Sequence, residues 1–133
     1  MLVFKDVSNE NELLEFLDHN NIVDIVHENG LFFGGYEDDK LFGIAEAYYD
    51  EGKLFLGIVK VSPLFEDQRM EEAIMRSLLN KLELNGNHYI YSWENEALHK
   101  SVNFEEEGKF YRCDLKALFN KGCSCCGGDV LEV

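Results

Sequence analysis

The sequence predicts an α+β fold, and three observations carry that prediction. Aromatic and branched runs from Leu31 to Ser62, broken twice by acidic turn clusters, read as an antiparallel meander. Apolar residues at spacings of three and four on either side of it supply helices. The stretch from Ile58 to Trp93 runs strand, charged turn, helix, strand, a unit that sets a helix N-terminus at a potential ligand site. A chain of 133 residues suits one domain, and 46% hydrophobic residues, with one Trp, six Tyr and ten Phe, suffice for a core.

Taken in order, Leu2-Val3-Phe4 is a short strand, and Asn9 with Glu12 three residues later resembles a capping box that opens a helix. Leu13, Leu14, Phe16 and Leu17 give that helix an apolar face. Ile22, Val23, Ile25 and Val26 suggest a second short helix stopped by Gly30. Three meander strands follow, separated at Glu37-Asp38-Asp39-Lys40 and Asp50-Glu51-Gly52-Lys53; the third, 54 to 62, leaves the sheet at Pro63, the only proline. Met70, Ile74, Leu78 and Leu82 lie four apart with Met75 and Leu79 alongside, so 70 to 84 is an amphipathic helix that ends at Asn85-Gly86-Asn87. A strand over 88 to 93, a short helix near 95 to 102 and a strand near 109 to 115 complete a domain placed at 1 to 118. Residues 119 to 133, with Gly122, Gly127 and Gly128, read as a tail.

Composition narrows the function classes. The 26 acidic against 12 basic residues give a net charge of −14, which repels nucleic acid and anionic lipid and attracts amines or basic peptides. An acidic surface also serves solubility alone. The start Met1-Leu2-Val3-Phe4-Lys5-Asp6 lacks the basic-then-apolar layout of a signal peptide, and no apolar run approaches the roughly 20 residues that cross a bilayer, so a cytoplasmic location is expected. Nothing in the sequence sets an oligomeric state. Cys123, Cys125 and Cys126 cluster near the end, and with Cys113 they make a candidate soft-metal site for zinc or Cu(I), or a redox group, against a reading as free thiols.

The element order, with Val61-Ser62-Pro63 before the long helix and Ala73-Ile74-Met75 with Leu78-Leu79 inside it, resembles the GNAT family of acyl-CoA-dependent N-acyltransferases over about residues 1 to 118. The family motif Arg/Gln-x-x-Gly-x-Gly/Ala falls on Glu66, Arg69 and Glu71, or, shifted by two, on Gln68, Glu71 and Ala73. Asn95 resembles the family Asn, and Leu98-His99-Lys100-Ser101-Val102-Asn103-Phe104 resembles Leu-Tyr-x-x-x-Gly-Phe, with Asn103, a residue that tolerates positive φ, at the glycine.

The resemblance implies a mixed central sheet with an antiparallel meander, flanked by helices. It also implies acetyl-CoA as cofactor, its pantetheine arm along the backbone of Val59 and Val61 and its phosphates at 66 to 71, with Gln68, Arg69, Met70, Glu71 and Asn95 as binding residues. Glu46 is the implied base, directly or through water, and His99 stands where the family often has a proton-donating tyrosine. The residues alone also allow Glu46 to be an outward-facing strand carboxylate and His99 a surface helix residue. Tyr48, Tyr49, Tyr89, Tyr91 and Trp93 fit either a substrate cleft or cross-strand pairs. The activity expected is direct transfer of an acetyl group to an unidentified amine. The competing expectation is a non-catalytic module of the same fold that binds a ligand or a protein, with a metal- or redox-active tail, motivated by the acidic loop where phosphates would sit and by the clustered thiols.

Overall fold

A computed structural model describes residues 2–22, 30–65, 68–94 and 96–120, with 68, 97, 98 and 120 described by backbone alone. The contacts resolve into two compact units, Met1–Leu78 and Leu79–Val133.

In the first unit, β1 (Leu2–Asp6), β2 (Leu31–Glu37), β3 (Lys40–Asp50) and β4 (Lys53–Val61) pair antiparallel in chain order. Phe4 faces Gly35, Phe33 faces Ala45 and Tyr48 faces Phe55. Both meander turns are two residues long, with positive φ at Asp38 and Asp39 and at Glu51 and Gly52. That geometry matches the twist of a hairpin, and Asp and Gly tolerate it. Helix α1 (Glu10–His19) starts where expected, the Asn9 side chain accepting from the Glu12 amide at 3.2 Å. It buries Phe16 and Leu17 with Ile44 of β3, whereas Leu14 of the expected apolar face stays half exposed.

Helix α2 (Gln68–Leu84) begins two residues before the sequence pattern does, and the unit division falls inside it. Ile74 reaches the sheet over two glycines. A Cβ at Gly43 would lie 2.5 Å from Ile74 Cδ1, and one at Gly35 3.1 Å from it, so bare backbone admits the helix. Residues of β3 thus alternate between a side packed by α1, at Ile44, and a side packed by α2, at Gly43.

The second unit pairs β5 (Tyr89–Ser92) with β7 (Phe110–Asp114) and β7 with β6 (Glu105–Glu107), all antiparallel. Gly86 at φ 99° and two bonds from Asn87 to the Leu82 carbonyl end α2 as the sequence indicated. Short helix α3 (Ala97–Lys100) sits where a helix was expected, and Asn103 adopts φ 65°. Ile90, Val102, Phe104, Cys113 and Leu115 are buried here. Two elements escaped the sequence reading. Strand β6 carries three exposed glutamates, a charged edge that discourages pairing with another chain but shows no apolar alternation. Helix α4 (Leu115–Asn120), capped by Asp114 accepting from the Ala117 amide at 3.0 Å, crosses the boundary placed at 118. The second short helix expected over 22 to 28 falls almost wholly on residues outside those described.

Candidate active site

The pairing of β3 with β4 is regular except at one place. Ala45 faces Val59 and Ala47 faces Leu56, so Gly57 and Ile58 together oppose Glu46. This is a β-bulge, which frees a ladder amide and re-aims a side chain. Glu46 is fully buried, and its Oε1 accepts from the Ile58 amide at 3.4 Å. The outward-facing reading of Glu46 is therefore corrected. A middle strand packed by α1 on one side and α2 on the other offers no solvated face.

Val59 and Val61 lie directly beyond the bulge, paired with Ala45 and Gly43; Val61 is fully buried and Val59 partly so. The strand then leaves the sheet through Ser62, whose amide donates to the Phe42 carbonyl at 2.7 Å, and a 3₁₀ turn over Pro63–Phe65 in which Phe65 stacks on Phe42. Glu66 and Asp67 lie outside the described residues, as does Asn95, and Gln68 is described by its backbone alone. In the first turns of α2, Arg69 is exposed and Met70 and Glu71 are partly buried. Glu72 pairs with Arg76 at 2.7 Å, so one negative charge near this helix end is already balanced. Glu46, Val59, Val61, Gln68, Arg69, Met70 and Glu71 all belong to the first unit.

His99 belongs to the second and is only 6% exposed. The surface-residue reading is corrected here too. The ring meets Phe104 edge-on at 5.5 Å, and its buried Nδ1 has no hydrogen-bond partner among the described residues. Burial pulls its pKa below the usual imidazole value, with Glu94 and Glu96 opposing part of the shift. At neutral pH the ring is neutral.

Cys113 is buried, and its Sγ donates to the Val102 carbonyl at 3.1 Å. A thiol in that role keeps its proton, whereas a metal ligand must lose it. Cys123, Cys125 and Cys126 lie outside the described residues, among which no group of three His, Cys, Asp or Glu could hold a metal ion. Four of the five aromatic residues considered for a cleft pack against rings outside that set. Tyr48 stacks on Phe55, Tyr91 and Trp93 meet Phe110 edge-on, and Tyr89 stacks on His88 with the Arg112 guanidinium over its ring. No helix among the described residues is long and apolar enough to cross a membrane. Sequence reasoning overlooked Gly57, although a lone glycine inside a strand pattern signals a bulge or a close approach.

No protein-family model matches the chain, and no curated protein does. Solved structures do. An N-acetyltransferase from Staphylococcus aureus Mu50 superposes with TM-score 0.65 at 17% identity, over 86% of this chain and 98% of that one. A GNAT-family acetyltransferase from Brucella melitensis, in complex with acetyl-CoA, gives 0.60 at 13% identity over 86% and 88%. The ribosomal-protein-S18-alanine N-acetyltransferase from Escherichia coli gives 0.61 at 15% identity over 84% and 90%. The chain has the α+β fold of the GNAT N-acyltransferases.

Proposed function

We propose that the protein is an acetyl-CoA-dependent N-acetyltransferase that moves an acetyl group directly onto an amine. The observation that carries this reading is the buried Glu46 carboxylate facing a bulge amide at the centre of β4, within a fold that known acetyltransferases share.

Acetyl-CoA would supply an acetyl group activated as a thioester. The residues present fit it in donor chemistry. The first turn of a 17-residue helix presents backbone amides and the positive end of its dipole. Arg69 adds a full positive charge beside Glu71, and the Glu72–Arg76 pair removes a second carboxylate from play. The backbone of Val59 and Val61 would hold the pantetheine arm. Glu46 would take a proton from the incoming ammonium, directly or through water, leaving the amine nitrogen free to attack the thioester carbonyl carbon as its C–S bond breaks, and the nitrogen's surplus proton would end on the departing CoA sulfur. Its burial strengthens the attraction between carboxylate and ammonium, because little bulk water screens them. His99, neutral at physiological pH, would offer a ring N–H rather than an imidazolium. The net charge of −14 favours cationic acceptors, either small amines or basic peptides.

The test is incubation with acetyl-CoA and a panel of polyamines, amino sugars and basic peptides, followed by mass spectrometry of the products and titration of released CoA thiol. Acetylated amine in proportion to released thiol is expected. Release no faster than in buffer across the panel would refute the reading and leave the non-catalytic binding module.

A further inference from the structure

The middle of β4 holds a glycine that its backbone does not require. Gly57 is not among the residues with positive φ, so its conformation is open to any L side chain. Space excludes one instead. A Cβ at this position would stand 2.9 Å from Cδ and 3.2 Å from Cβ of Glu46, with Oε1 nearer still. Carbon atoms not bonded to one another meet best at about 3.5 to 4.0 Å. Glu46 is fully buried, so its carboxylate has no solvent side to withdraw to. Across the bulge, the Ile58 amide donates to the same Oε1. The carboxylate is thus bounded by bare backbone at one residue and held by an N–H at the next.

We propose that Gly57 is a positioning residue: its missing side chain makes the seat that keeps the Glu46 carboxylate against the bulge. The proposal rests on the acyltransfer reading, in which that carboxylate receives the amine's proton. A methyl group at 57 would drive the carboxylate away while leaving its charge, length and hydrogen-bonding capacity untouched. Misplacement of a reacting group by about 1 Å costs on the order of 100-fold in rate. Shortening the acid by one methylene would draw the carboxyl group back from the methyl and leave the 3.2 Å approach to Cβ as the remaining tight contact.

The experiment has a stability arm and a kinetic arm. In thermal denaturation, Gly57→Ala lowers Tm by about 3 to 10 °C when Glu46 is present, as overpacking of a core does. In a Glu46→Ala background the same substitution costs less than half as much, because Oε1 and Cδ are gone and only the 3.2 Å approach to Cβ remains. An equal loss in both backgrounds overturns the proposal. In the kinetic arm, Gly57→Ala lowers kcat about 100-fold with KM for acetyl-CoA held within about threefold, and it displaces the limb of the pH–rate profile that reports the base. Adding Glu46→Asp to Gly57→Ala recovers part of both kcat and Tm. A rise in KM that accounts for the whole loss, with an unchanged pH profile, also overturns it, because Gly57 would then serve the β4 backbone. The stability arm needs no turnover, so wild-type protein that acetylates nothing defeats the acyltransfer reading while the denaturation cycle still decides the contact.

Discussion

Replacing Glu46 by glutamine and by alanine separates its chemical role from its structural one. Glutamine keeps the shape and the Oε1 acceptor for the Ile58 amide but cannot take a proton. Loss of a positioned base removes about 10²- to 10⁴-fold of rate, which is about 2.7 to 5.5 kcal/mol of barrier. Stability should hardly fall, because glutamine also removes the desolvation of a buried charge. Alanine deletes the acceptor as well. An unsatisfied buried N–H costs about 1 to 3 kcal/mol. The 3.4 Å separation marks a long bond, so the low end of that range applies. Urea denaturation measures the stability of the three proteins, and initial rates of CoA thiol release measure transfer. The Glu46→Gln variant should match wild type in stability and fall at least 100-fold in kcat/KM. Wild-type kcat/KM in Glu46→Gln would refute the role of base, and a Glu46→Ala variant as stable as Glu46→Gln would refute the structural tie to the bulge.

Two further outcomes follow from titrating groups. His99 has a folded pKa below its unfolded value, so between the two the unfolded chain binds the extra proton and stability falls as pH drops below about 6.5, at no more than about 1.4 kcal/mol per pH unit; His99→Leu should flatten that limb in urea titrations between pH 7 and 5, and an unchanged slope would contradict it. Tyr36 donates to Glu12 at 2.9 Å, and burial followed by that bond and charge pushes its pKa up to about 12. Its protonated form is favoured in the fold, so its contribution is complete below pH 10 and is lost as pH rises from about 10 to 12. Tyr36→Phe should cost about 1 kcal/mol at pH 7 and lack the alkaline loss, whereas a Tyr36→Phe variant with the same alkaline limb as wild type would place its origin elsewhere.

Much of the architecture is legible in the chain because local signals agree with the fold. Asn9 and Glu12 mark the start of α1, Asp38-Asp39 and Glu51-Gly52 demand hairpin turns, and Ile74, Met75, Leu78, Leu79 and Leu82 define the buried side of α2. The missed elements lack those signals. In β6 the run Glu105-Glu106-Glu107 carries charge rather than alternation, since an edge strand needs solubility more than burial. In α4, Leu115, Leu118 and Phe119 do show helical spacing behind a capping Asp114, but the following glycines and cysteines masked so short a run. The burial of Glu46 and His99 depends on which side of a sheet or helix is covered, a tertiary fact that residue type argues against. The place of Gly57 is of the same kind, because only the register across the bulge brings it to Glu46.

Isothermal titration of the wild-type protein with acetyl-CoA, paired with thermal denaturation at each ligand concentration, bears most directly on the function. Saturable heat at one site is predicted, with stabilisation that reaches about 2.7 kcal/mol once ligand stands at 100 times its Kd. No heat and no rise in Tm at millimolar acetyl-CoA would contradict a cofactor role for β4 and the start of α2.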